Sequence, residues 1–240
     1  MIDAKLNARL SSAVSLVRQD AVFADIGTDH AYLPIFLLKV GRISRAYATD
    51  INSGPLASAR ANVEAAALSE KVSFMLTDGA AALSGEGVTD YAICGMGGEL
   101  IADIIERAPH LRCGEVRLIL QPMSRQEHLR RYLCSHSFAI RSESYSYDGG
   151  KYYTCIMAEY VGECRELTEL EALAGVTGCQ FLNTGARIGY LEAKLSSLER
   201  ARAGRLSSGA EDRTDIIISA LRELISDVKY SKSNNGEEPI

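Results

Sequence analysis

The chain has 240 residues, 47% of them apolar and 24% charged, with a net charge of −5, enough for one α/β domain of about 150 residues and a smaller appendage. The acidic balance excludes a protein whose whole surface grips nucleic acid and leaves room only for a local basic face. No apolar run approaches the roughly 20 residues that span a bilayer, and residues 1–20 carry charges where a signal peptide has its apolar core, so a soluble, cytoplasmic protein without membrane attachment is expected.

Residues 3–19 read as a helix, with Leu6, Leu10, Ala13, Val14 and Val17 at helical spacing and Arg9 on another face. A β-type run, residues 22–25, then delivers Asp25 into the turn Ile26-Gly27-Thr28-Asp29-His30, and residues 32–40 are helical up to Gly41. The pattern repeats: strand 45–49 ends at Asp50-Ile51, and helix 55–67 has Pro55 in its first turn, where proline is tolerated. Strand 72–76 leads to Thr77-Asp78-Gly79. Strand 91–94 runs into Gly95-Met96-Gly97-Gly98 and helix 99–107, and strand 116–120 reaches Gln121-Pro122 before helix 126–135. Strands alternating with helices at this spacing imply parallel βαβ units.

The rhythm then changes. Runs 138–147 and 152–160 flank Asp148-Gly149-Gly150 and predict an antiparallel hairpin. A parallel sheet closed by an antiparallel hairpin is the α/β, Rossmann-like arrangement of S-adenosylmethionine (SAM) methyltransferases. From Glu163 the pattern turns helical without strands. One stripe is Phe181, Ile188, Leu191, Leu195 and Leu198, another is Ile217, Leu221, Leu224 and Val228, and residues 204–209 supply the turn between them. The expected organisation is therefore a SAM-binding domain over 1–162, a C-terminal α-helical hairpin over 163–230 and a disordered tail over 231–240. The six cysteines include no C-x-x-C pair and the four histidines form no convincing ligand pair, so buried thiols and no metal site are expected.

Ligands of open parallel sheets bind beyond the carboxyl ends of the strands. The cofactor candidates are accordingly Asp25, Gly27, Thr28, Asp29, His30, Asp50, Ile51, Asp78, Gly79, Gly95, Met96 and Gly97. A pyrophosphate wants G-x-G-x-x-G on a helix N-terminus; this loop offers one glycine and extra carboxylates, which suit the ammonium and sulfonium of SAM. Asp50 is placed to accept from ribose hydroxyls and Asp78 from the adenine amino group. Each residue also has an ordinary role open to it: Asp50 as a helix cap, Asp78 in an Asx-turn, Gly27 as a plain strand-to-helix turn, His30 as a packed histidine.

The sequence resembles the bacterial tRNA (adenine(22)-N(1))-methyltransferase family. The resemblance lies in Asn7-Ala8-Arg9-Leu10, in Asp25-Ile26-Gly27-Thr28-Asp29-His30-Ala31-Tyr32-Leu33-Pro34, in Cys94-Gly95-Met96-Gly97-Gly98-Glu99-Leu100-Ile101, in Leu118-Ile119-Leu120-Gln121-Pro122 and in Gly150-Lys151-Tyr152-Tyr153. It implies SAM-dependent methylation of N1 of an adenosine in the D-arm region of tRNA, with the C-terminal hairpin helping to hold the RNA. Where the family usually reads Gln-Pro-Asn, this chain has Gln121-Pro122-Met123, which puts a polar contact of that Asn in doubt unless Ser124 supplies it. A ring nitrogen already has an in-plane lone pair, so positioning should supply most of the catalysis. Asp29 is the candidate for stabilising the cationic product or accepting an N6 proton, with cofactor binding as its other duty. Arg9 is the candidate for clamping a carboxylate or phosphate, and Tyr32, Met96 and Met123 are apolar groups able to receive an extruded base. Arg187, Lys194, Arg200, Arg202 and Arg205 form a candidate phosphate-contact face, against the alternative of a solvated mixed-charge hairpin. The oligomeric expectation is a monomer or weak dimer. The rival readings are a SAM methyltransferase for a small molecule or protein and a catalytically silent RNA-binding module.

Overall fold

The computed structural model describes the backbone of residues 6–207 and 214–234, with side chains up to residue 204 and from Thr214. Eight strands form one sheet: β1 (Ala21–Ile26), β2 (Ile43–Asp50), β3 (Val72–Leu76), β4 (Asp90–Gly97), β5 (Arg117–Ser124), β6 (Phe138–Asp148), β7 (Lys151–Tyr160) and β8 (Gln180–Leu182). Their order is β3-β2-β1-β4-β5-β7-β6-β8. Only β7 runs against the others, being antiparallel to β5 and to β6, whereas β6 and β8 are parallel. The carboxyl ends of β6 and β8 therefore lie on the same edge of the sheet as those of β1–β5. The reversal at Gly149 (φ +54°) and Gly150 (φ +81°) needs positive φ at both central residues, which two glycines supply without strain.

Helices α1 (Ala8–Val14), α2 (Tyr32–Lys39) and α3 (Ser53–Ala65) cover one face, and α4 (Gly98–Glu106) and α5 (Gln126–Ser135) the other. Successive β1 residues show the alternation directly: Phe23 packs with Leu33, Leu37 and Val63, while Ala24 and Ile26 pack with Ile101, Ile105 and Leu129. The remaining helices are α6 (Glu169–Ala174), α7 (Thr184–Ser207) and α8 (Thr214–Asn234). Tyr190, Leu191, Leu221, Ile225 and Val228 of α7 and α8 share a core with Tyr145 of β6.

A buried ion pair ties these layers together. Arg130 of α5 and Glu143 of β6 are both fully buried, and the guanidinium meets the carboxylate through Nε (3.0 Å) and Nη2 (2.7 Å). Arg130 Nη1 also donates to Ala172 O (2.8 Å), and the Tyr145 hydroxyl donates to Glu143 Oε2 (2.9 Å). With its remaining lone pairs and protons so engaged, the pair is compensated for leaving water.

Several local expectations are corrected. The first helix is shorter than residues 3–19 among those described: Asn7 Oδ1 caps it at Leu10 N (2.9 Å), and past Val14 the Asp90 carboxylate draws the chain away, taking Arg18 N (2.9 Å) and Arg18 Nε (2.7 Å). β4 does not stop at Cys94 but continues through Gly95-Met96-Gly97, with a register shift against β5 at Gly95 (φ +83°). The C-terminal region is not free of strands: Phe181, assigned to a helical stripe, sits in β8 beside Glu143 of β6. Gly204 lies inside α7, and residues 208–213 lie outside the described residues. The tail expected from residue 231 is still helical through Asn234, and 235–240 lie outside the described residues. No helix among the described residues is long and apolar enough to cross a membrane.

Candidate active site at the carboxyl ends of β1, β2 and β4

β1 ends by pushing Asp25 into the interior, where 8% of it remains exposed. Burial, chiefly, lifts its carboxyl from the ordinary 3.8 to about 6; the Asp50 carboxylate adds to the rise and a hydrogen bond from Thr28 opposes it. The chain then turns at Gly27 (φ +73°), with the N–H groups of Gly27 and Thr28 both donating to Thr49 O at 2.8 Å. A Cβ on Gly27 would stand 2.0 Å from Met96 Cε, so the methionine of the β4 exit lies over this turn and its flexible end would have to move for any side chain there, while the positive φ favours glycine. Thr28 Oγ1 accepts from Ala31 N (3.1 Å), and Ala31 enters α2 in the left-handed region (φ +54°).

These residues border a cavity of about 210 Å³ whose wall includes Asn7, Arg9, Asp25, Asp29, His30 and Cys94. Asp29 is exposed at the mouth and pairs with His30 Nε2 at 3.3 Å, while the His30 ring stacks on Tyr32 with centroids 5.1 Å apart. Burial, with Cys155 and Asp25 nearby, pushes the Cys94 thiol well above its usual range, which makes it an unreactive neutral wall.

Arg9 reaches the same place from α1. Its Nη1 donates to Gln121 Oε1 of β5, and the same oxygen accepts from Gly95 N (3.1 Å). Gln121 is fully buried and thus fixes the guanidinium and the β4 turn together. Gln121 is thus a site residue beyond the strand-exit candidates. Its signal was a lone amide closing the apolar run Leu118-Ile119-Leu120 at a strand exit.

Arg9, Asp25, Gly27, Thr28, Asp29 and His30 are therefore brought together, with Gly95 and Met96 packed against them. Asp50 joins them electrostatically through Asp25; it is half-buried, and its Oδ1 accepts from Asn52 N (2.7 Å), so it forms an Asx-turn and leaves the helix-cap position to Asn52. Ile51 is 62% exposed beside it. Asp78 is turned elsewhere: Arg107, the C-cap of α4, binds both its carboxylate oxygens and holds the carboxyl below its ordinary value. Gly79 (φ +76°) lies against Ile104, and Gly97 caps α4 beside Ser124.

The candidate RNA residues do not form one open face. Lys194 is held by Glu127, Arg202 pairs with Asp215 at 2.5 Å, and Arg200 bonds back to Ser196 O (3.2 Å). Arg187 is buried, with its guanidinium carbon 3.3 Å above the Phe181 ring. The Arg205 side chain lies outside the described residues.

The geometry can be set beside known proteins. A family model described as a methyltransferase domain matches residues 6–156. The tRNA (adenine(22)-N(1))-methyltransferase of Bacillus subtilis is 36% identical over 159 residues, 66% of this chain and 67% of the relative. The structure of Streptococcus pneumoniae Sp1610 in complex with S-adenosyl-L-methionine superposes with a TM-score of 0.75 at 32% identity, covering 93% of this chain and 99% of that one. Mycoplasma capricolum TrmK in complex with S-adenosyl-homocysteine gives 0.67 at 27% identity, covering 94% and 97%. On this likeness of sequence and structure, the chain belongs to the tRNA (adenine(22)-N(1))-methyltransferase family.

Proposed function

We propose that the site transfers the methyl group of SAM to N1 of an adenosine in tRNA, at position 22 as in the family. The observation that carries the reading is the buried Asp25 carboxyl, lifted to about 6 beside Asp50, beneath a one-glycine turn. Asp25 and Asp50 raise each other's cost of ionisation, while Arg9 in the same wall is bound to Gln121, so the two carboxylates favour a cationic ligand and repel a pyrophosphate. Such a donor set fits SAM: Asp25 and the Gly27–Thr28 turn for its charged end, with Asp50 accepting from the ribose hydroxyls. Asp78 accepts from an adenine amino group only by sharing its oxygens with Arg107.

SAM, when bound, supplies an electrophilic methyl group. The residues do the rest by position. Met96 covers Gly27 at the turn, and Tyr32 and Met123, 41% and 43% exposed, offer apolar surface to an extruded base. The N1 lone pair would form the new N–CH3 bond as the S–CH3 bond of SAM breaks and its electron pair returns to sulfur, leaving S-adenosyl-homocysteine; the positive charge thereby moved onto the adenine ring would be balanced by Asp29 at the cavity mouth or relieved by its taking an N6 proton. Arg9, anchored by Gln121, is positioned for a phosphate or carboxylate of the complex. Residues 1–162 serve as the cofactor-binding unit and 163–230 as the unit that contacts tRNA, where Lys194 and Arg202 would have to exchange Glu127 and Asp215 for phosphate. The protein acts in the cytoplasm as a monomer or weak dimer.

Incubation with methyl-labelled SAM and unmodified tRNA, followed by mass spectrometry of the digested tRNA, tests this. Label at N1 of a single adenosine is expected, and an unlabelled tRNA defeats the reading.

A further inference from the structure

At the outer end of the sheet β8 hands the chain to α7, and α8 returns antiparallel so that its last turn meets the first turn of α7. Between them lies a cavity of about 320 Å³ lined by Phe181, Thr184, Arg187, Asp227, Ser231 and Lys232, together with Val228. Its charge distribution is anomalous. α7 has 24 residues and no acidic residue in its first turn, yet two cations are collected at this positive end of the helix dipole. Arg187 is in the first turn itself, and Lys232 Nζ comes within 3.2 Å of the point a Cβ on Gly185 would occupy.

Arg187 is the decisive residue. Only 9% of it is exposed, its buried Nε has no hydrogen-bond partner, and no ion pair to it is found among the described residues. Its guanidinium carbon stands 3.3 Å above the face of Phe181. A guanidinium N–H buried away from water normally meets an acceptor, because leaving it unpaired there is costly. Lys232 also lies in the last turn of α8, where a cation is ordinarily favourable, but that explanation does not extend to Arg187, which stands at the wrong end of its helix for it. Asp227 opposes an incoming anion with a single exposed carboxylate, against two cations and a helix N-terminus.

We infer that this cavity is a binding site for a phosphate group, held by Arg187, Lys232, the Thr184 and Ser231 hydroxyls and the first turn of α7. The fork of N–H donors on a guanidinium matches phosphate oxygens. Resting on the tRNA reading above, the phosphate is assigned to the tRNA backbone. The placement agrees: β8 ends on the same edge of the sheet as β4, four strand intervals away, or about 19 Å. A nucleic acid whose base enters the β1–β4 site thus extends its backbone across this edge, while Arg187 supplies a fixed anchor away from the reacting atoms.

The test uses the full chain with unmodified tRNA. Arg187→Gln and Lys232→Gln should each raise the KM for tRNA about tenfold, the loss of one charge-assisted contact. They should reduce the slope of log Kd against log salt by about 0.7–0.9, and leave the SAM dissociation constant at the parent value. Arg187→Lys should recover part of the loss. Because Arg187 packs on Phe181, Lys232→Gln decides the matter if Arg187→Gln misfolds. An unchanged KM and salt slope in Lys232→Gln overturns the site. Inorganic phosphate, titrated at constant ionic strength, separates the two sources: binding that requires Lys232 while the tRNA slope is unaffected overturns the assignment to the tRNA backbone. If the parent protein fails to methylate tRNA, the proposed function itself fails, independently of these variants.

Discussion

Replacing Asp25 by asparagine should make the ligand-free protein more stable at neutral pH. The folded carboxyl keeps its proton up to about pH 6, whereas the unfolded chain releases it near the ordinary 3.8. Between those values the folded state binds more protons, so stability falls as pH rises through the window and stays at the lower level above it. The full difference amounts to about 3 kcal/mol at pH 7.5 and shrinks to about 1 kcal/mol at pH 4.5. A side-chain amide in place of this carboxyl carries no charge to desolvate and keeps an oxygen to accept from Thr28, so the variant should escape this penalty. Urea unfolding without SAM, run across that range, should show the variant about 3 kcal/mol more stable at pH 7.5 and the two proteins converging toward pH 4.5. Calorimetry at pH 7.5 should show weaker SAM binding by the same variant, because the destabilised carboxylate is what the cation relieves. Parallel stability–pH curves for parent and variant would refute the claim that Asp25 is held at a cost.

The other expectations concern contacts around the same loop and the layer behind it. Gly27→Ala meets both the left-handed backbone, about 1–2 kcal/mol for a residue with a Cβ, and Met96 Cε; it should weaken SAM binding, and adding Met96→Ala, which removes that methyl, should recover part of the loss in calorimetry. Gln121→Leu leaves the Gly95 N–H and the Arg9 guanidinium without their shared acceptor. It should cost about 1–3 kcal/mol of stability in urea unfolding and lower label transfer to tRNA. Arg130→Met strands the buried Glu143 carboxylate and should cost about 3–5 kcal/mol, read as a large drop in melting temperature; the double change with Glu143→Leu should cost less, since both charges then leave the interior.

The order of strands and helices was legible because it rests on short-range physics. Apolar period sets each element's type, and glycine marks the places where φ must be positive: Gly27, Gly149 and Gly150 all lie where the turns were expected. α5 has the expected bounds, Gln126–Ser135, and the two runs around Asp148-Gly149-Gly150 do form the hairpin. The acidic one-glycine loop also carried chemistry in its composition alone, because carboxylates choose their ligand by charge wherever the strand is placed.

What the chain could not state locally is which distant groups share a space. β8 has three residues and no alternation long enough to read, and it exists because β6 offers it an edge. Asp78 looked like an open strand-exit carboxylate until α4 brought Arg107 to it, and Gln121 looked like punctuation until α1 laid Arg9 against it. Arg187 had the same formal charge as Arg200 in sequence, yet packing on Phe181 buried one and left the other at the surface. Sequence by itself determined the fold class, the turn chemistry and the acidic character of the loop beneath Met96. Tertiary structure alone decided the pairings, since the energy of a charge depends on its solvation and on partners that the chain supplies from dozens of residues away.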